Sequence, residues 1–126
     1  MKYNKLNWIC GNLNKNSFDT ENYNSIYGVY IIWFKENSNL KILLIGFGRI
    51  GLELQLNQGI NNNALSDYSN KSLQVCYSKV ENEIDVSKIY FYLISKLNPI
   101  IELHNYLIPS EPLIEVNLPT FEKLEQ

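Results

Sequence analysis

The sequence predicts a small α+β domain, a three-stranded, mainly antiparallel sheet flanked by helices. Two observations carry that prediction. Residues 25–46 hold two runs rich in β-branched and aromatic residues, "SIYGVYIIWF" and "LKILLIG", separated by the polar cluster "KENSN", and together they read as a hairpin with a loop of about five residues. Further along, Val86, Ile89, Tyr90, Leu93 and Leu97 fall on one helical stripe behind Asp85, the pattern of an amphipathic helix with an acidic cap. The chain has 126 residues, which suits one domain with a core of its own.

The elements follow in order. Residues 1–24 are polar, with Asn, Ser and Asp throughout, and read as an irregular lead-in. The two strands of the hairpin come next, 25–34 and 40–46. "IGLELQLNQG" suits a short helix closed by Gly59, and "INNNALSDYSNKS" a surface loop. "LQVCYSKV" (73–80) reads as a third strand, and the amphipathic helix then runs to its stop at Pro99. Residues 104–126 are acidic and carry three prolines, so the end of the chain reads as a tail that adds an edge strand at "LIEVNL" or wraps the body. The order is β-β-α-β-α.

Composition narrows the function classes. The net charge is −2, with eight Lys/Arg against five Asp/Glu in residues 1–80 and three against eight in residues 81–126. Arg49 is the sole arginine, and no basic block advertises nucleic acid. No apolar run reaches the roughly 18 residues of a spanning helix. The opening "MKYNKLNWIC" has no signal-like apolar block, so the expected address is cytoplasmic. Cys10 and Cys76 have no metal-site spacing and read as free thiols in a reducing compartment. His104 has no Cys or second His near it in sequence, so it reads as a surface or capping residue. Trp8 and Trp33 read as structural.

The glycines of "KILLIGFGRIGLELQLNQG" match the dinucleotide pattern at Gly46, Gly48 and Gly51. That pattern needs a β-α-β unit with parallel strands and an acid ending the second strand. Here the preceding strand is hairpin-paired, and Asp67 precedes the next strand instead of ending it. The dinucleotide reading is therefore the second alternative, and the glycines are expected to shape the turn out of the second strand.

Two tripeptides suggest a different relationship. "GVY" (Gly28, Val29, Tyr30) opens the first strand of the hairpin, "LIG" (Leu44, Ile45, Gly46) closes the second, and fourteen positions separate Tyr30 from Leu44. The order and spacing over residues 25–103 resemble the GIY-YIG nuclease superfamily. The resemblance implies a metal-dependent phosphodiesterase scaffold, in which a first-motif tyrosine assists the attacking water. A second tyrosine and a helix arginine orient the phosphate, and a later glutamate holds the metal. Tyr30 matches the first tyrosine. Leu44 occupies the second tyrosine's place, Glu53 the arginine's, and Tyr90 that of the metal glutamate.

The scaffold is thus expected to be degenerate, a binding or regulatory module with no bound cofactor. A protein partner or self-association is expected as readily as nucleic acid, and a membrane is not. The alternative is an atypical active nuclease using Mg²⁺ or Mn²⁺, with Tyr30, Arg49 and Glu53 converging on one cleft.

Overall fold

The computed structural model describes residues 2–12, 27–49, 65, 67–68, 70–101 and 113–122. Its centre is the expected hairpin. β3 (Tyr27–Glu36) and β4 (Asn39–Arg49) pair antiparallel along their whole length. The connection is shorter than the polar cluster suggested. Asn37 and Ser38 alone make the turn, both at positive φ, and two such residues match the right-handed twist of the flanking strands.

Around this hairpin the predicted sheet is corrected. A three-stranded sheet flanked by helices is not what forms. A four-stranded antiparallel sheet runs in the order Ile9–Asn12 (β2), Gln74–Lys79 (β5), β3 and β4, and a separate two-stranded parallel sheet joins Lys2–Asn4 (β1) to Ile114–Val116 (β6). β5 (Gln74–Lys79) is the expected third strand. β1 (Lys2–Asn4) and β2 (Ile9–Asn12) arise from the segment read as irregular. β6 (Ile114–Val116) is the edge strand foreseen at "LIEVNL", but its partner is β1 and not the central sheet. One α-helix is described, α1 (Val86–Leu97), entered through a 3-10 turn at Glu83–Asp85.

Both faces of the four-stranded sheet are covered. Val29, Ile31, Trp33, Ile45 and Cys76 point to the side where α1, Ile114, Val116 and Phe121 pack. Tyr30, Ile32, Phe34, Leu44, Val75 and Tyr77 point to the other, against Leu65, Leu73 and Tyr68. Side chains alternate across a strand, so an apolar run with no polar member, such as Val29 to Phe34, is the mark of a strand buried on both sides. Leu65, placed in a surface loop by its polar neighbours, is 7% exposed and belongs to this second core.

β4 is bulged. Ile32 faces Leu44 and Trp33 faces Ile42, so Leu43 is extra. The chain leaving α1 docks there, with the amides of Ile100 and Ile101 donating to the carbonyls of Ile42 and Leu43 at 3.0 and 2.8 Å. Those two bonds cover part of an edge that would otherwise be open.

Residues 2–12 and 113–122 are built into the body. Asn117 donates through Nδ2 to the Leu6 carbonyl at 3.0 Å and accepts through Oδ1 from the Leu6 amide at 2.7 Å. One side chain thus plays the part of a neighbouring strand. The indole of Trp8 donates to the Asn117 carbonyl at 2.8 Å, and the Phe121 ring meets Trp33 edge-on at 5.4 Å. The cysteines differ from the thiol reading as well: Cys10 and Cys76, directly opposite on β2 and β5, are joined as a disulfide.

Candidate functional site

Of the residues singled out by sequence, Tyr30 and Arg49 lie on opposite faces of the central sheet. Tyr30 is 1% exposed in the core on the face away from α1. Its ring lies over Gly46, its cross-strand neighbour, and a Cβ on Gly46 would collide with the Cζ and Oη end of that ring. The glycine is there to admit the tyrosine. Arg49 is exposed at the far end of β4, opposite Tyr27. By strand alternation it shares a face with Phe47 and Ile45, which is the face opposite Tyr30. Glu53 lies outside the described residues.

Leu44 and Tyr90, the positions at which the resemblance would place a second tyrosine and a metal-holding glutamate, are both core. Leu44 is fully buried beside Tyr30. Tyr90 is buried on α1, its ring 4.8 Å from Phe47 and 5.1 Å from Phe91. Gly46 and Gly48 lie within β4, so they do not shape a turn out of the strand. Gly48 has φ 137°, a conformation that favours glycine. Gly51 and the expected helix of 50–59 lie outside the described residues, as does His104. The antiparallel β3–β4 ladder also removes the parallel β-α-β setting that a dinucleotide fingerprint requires.

A different place offers a surface with chemistry. Between the segment leaving β1 and the end of β5 lies a groove enclosing about 580 Å³, within the range of small-ligand and peptide sites. Its walls include Lys2, Lys5 and Ile9 on one side and Ser78, Lys79 and Asp85 on the other. Ser78 and Lys79 come from β5, and Lys5 from the extended link between β1 and β2.

The backbone of β5 supplies part of the floor. Val80 donates its amide to the Tyr27 carbonyl at 3.0 Å, toward β3. Successive residues of an antiparallel strand turn their amides and carbonyls to opposite sides, so the Lys79 backbone faces the β2 side. β2, however, pairs with β5 only as far as Tyr77. The Lys79 carbonyl accepts from the Ser78 hydroxyl at 3.0 Å. Among the described residues, the groove therefore runs beside the end of β5 on the side where β2 has stopped pairing, while β3 still pairs with it through Gly28.

Its charge is cationic at one point. Lys2 lies 3.4 Å from Asp85, a carboxylate that is itself nearly buried. Asp85 precedes α1 as expected, but its side chain makes no capping bond and is directed to Lys2 instead. Asn82 caps the 3-10 turn in its place, accepting from the Ile84 amide at 3.1 Å. Lys79 approaches Glu81 at 3.8 Å, both well exposed, and such pairs contribute little. Lys5 is exposed and has no acidic partner among the described residues.

Sequence reasoning passed over this groove because one of its walls comes from a segment that reads as polar filler. The usable signal was the apolar cluster Trp8–Ile9–Cys10 inside that segment, which marks a place where the lead-in must pack. No protein-family profile matches the chain, and no curated protein or solved structure is similar to it. No helix among the described residues is long and apolar enough to cross a membrane.

Proposed function

We propose that this chain is a non-catalytic binding module, and that its groove receives a short, extended, carboxylate-bearing segment of a protein partner. The observation that carries this reading is the end of β5, which among the described residues is paired to β3 but no longer to β2. Lys79 turns its backbone into the groove beyond the last residue paired by β2, which is how a sheet edge accepts an added strand. Lys5, exposed and without an acidic partner among the described residues, supplies the preference for a carboxylate. The burial of Tyr30 and the placement of Arg49 on the opposite face support the loss of catalysis. A phosphodiester bond would need both groups on one side of the sheet.

Titration calorimetry with a hexapeptide alternating valine and glutamate tests the reading. Binding is expected, and Lys5→Glu should weaken it about tenfold, the effect of reversing one charge near a carboxylate. A hexapeptide that does not bind, or that binds Lys5→Glu equally well, sinks the groove as the site. A cleavage assay on duplex DNA, single-stranded DNA and RNA with Mg²⁺ or Mn²⁺ should show no cutting. Metal-dependent cutting that disappears in Tyr30→Phe would instead favour the nuclease alternative.

A further inference from the structure

We propose that the Cys10–Cys76 bond is a redox latch, reducible through Cys10 with Cys76 as the leaving sulfur, whose opening loosens the β2 wall of the groove. Only the last clause rests on the groove being the binding site. The geometry points to it in three ways.

First, the bond ties down a weak element. β2 is four residues long and, among the described residues, pairs with β5 alone, and Cys10 sits within it, opposite Cys76. Ile9, the residue before Cys10, lines the groove and is 44% exposed. A short edge strand is the sort of element that opens at low free-energy cost, and the covalent tie sets its place across a separation of 66 residues.

Second, the two sulfurs are unequal. Cys10 is half-buried, whereas Cys76 is fully buried. A reductant from solution reaches Cys10 first.

Third, the buried sulfur has a hydrogen-bond donor. The Trp33 indole Nε1–H donates to Cys76 Sγ at 3.2 Å within the core. A buried thiolate in apolar surroundings is costly, and a donor aimed at the sulfur offsets that cost. A sulfur so assisted is the better leaving group in exchange.

The chemistry then closes with a dithiol as reductant. Its thiolate attacks Cys10 Sγ, and the Cys10–Cys76 bond breaks. Cys76 departs as a thiolate held by the Trp33 N–H and takes a proton. The second thiol of the reductant then displaces Cys10 and leaves as the cyclic disulfide. Two electrons and two protons pass to the protein, which ends with two thiols.

The test uses the full chain under controlled thiol–disulfide buffers. Under oxidised glutathione, neither cysteine should react with iodoacetamide, and after dithiothreitol both should. Hydrogen exchange over residues 2–12 should quicken about tenfold on reduction, with the central hairpin unchanged. Cys10→Ser should show that faster exchange without any reductant. Trp33→Phe should slow reduction about tenfold, the worth of one hydrogen bond to a charged sulfur.

Two reactive thiols under oxidising buffer would overturn the latch, as would exchange over 2–12 that ignores reduction. Should Trp33→Phe fail to fold, Cys10→Ser still decides the structural consequence. The hexapeptide separates the two readings. If it binds neither redox form while 2–12 loosens, the groove reading fails and the latch stands. If it binds both forms equally, the latch does not govern the groove.

Discussion

The β3–β4 hairpin and the clasp made by residues 2–12 with 113–122 are held together by different kinds of information. In the hairpin, partners are near in sequence and follow one register on each side of the bulge at Leu43. Asn37 and Ser38 turn the chain, and the pairs follow by counting outward, with a one-residue shift at that bulge. In the clasp, Leu6 meets Asn117 across 111 positions, and β1 runs parallel to β6. Nothing local to either segment names its partner. The comparison teaches that burial pattern specifies an element, whereas a single polar side chain specifies which distant segment it joins.

The sharpest way to break the hairpin is to fill the space under Tyr30. Gly46→Val should destabilise the fold by roughly 3 kcal/mol, since the ring and the new side chain cannot share that space. Chemical denaturation measures it. Tyr30→Ala in the same chain should recover part of the loss, because the two residues touch and their effects are not additive. Equal and additive losses would mean that Gly46 is required for some other reason.

The clasp is broken more gently. Asn117→Ala leaves the part-buried amide and carbonyl of Leu6 without their partner, and a loss of about 2 kcal/mol is expected. Hydrogen exchange should quicken at residues 2–8 and 113–122 and stay unchanged in the hairpin. Exchange that quickens everywhere would show that the clasp is no separate unit.

The smallest effect concerns pH at the turn end of the hairpin. Glu36 is bonded and ion-paired to Lys71, which holds its carboxyl below the usual range, with Lys41 adding a little. A carboxyl lowered in the folded state contributes stability above its unfolded value, lost as pH falls through the folded one. Carbon-detected titration should therefore find Glu36 still charged where a free glutamate is half-protonated, and Lys71→Met should restore ordinary titration. The group is exposed, so denaturation midpoints should hardly move.

At the other end of the pH scale Tyr92 behaves in the opposite sense. Burial raises its phenol above the ordinary value, and the Glu115 carboxylate adds to that. Its contribution is present below the unfolded value and fades as pH rises toward the folded one.

Much of the central sheet was legible because periodicity writes it directly. "GVYIIWF", "LKILLIG" and "LQVCYSKV" are strands at nearly the places their composition marks, and the stripe from Val86 to Leu97 is the helix, ended by Asn98 in the left-handed conformation just before Pro99. The glycine pattern misled because spacing carries no information about strand direction. Gly46 serves an aromatic ring across the ladder, and only the register reveals it.

What the sequence by itself determined is therefore local: which segments bury apolar side chains, with what period, and where the chain turns. What only the tertiary structure decided is which distant groups share a face or an edge. Tyr30 and Arg49 are nineteen positions apart on paired strands, yet the alternation of side chains sends them to opposite sides. Lys2 and Asp85, or Cys10 and Cys76, are far apart in the chain and adjacent in space. The physical reason is that backbone hydrogen bonding and hydrophobic burial act through short-range geometry that one segment can display alone. A groove, a latch or a clasp exists only once two segments have met, and their meeting is chosen by the free energy of the whole fold.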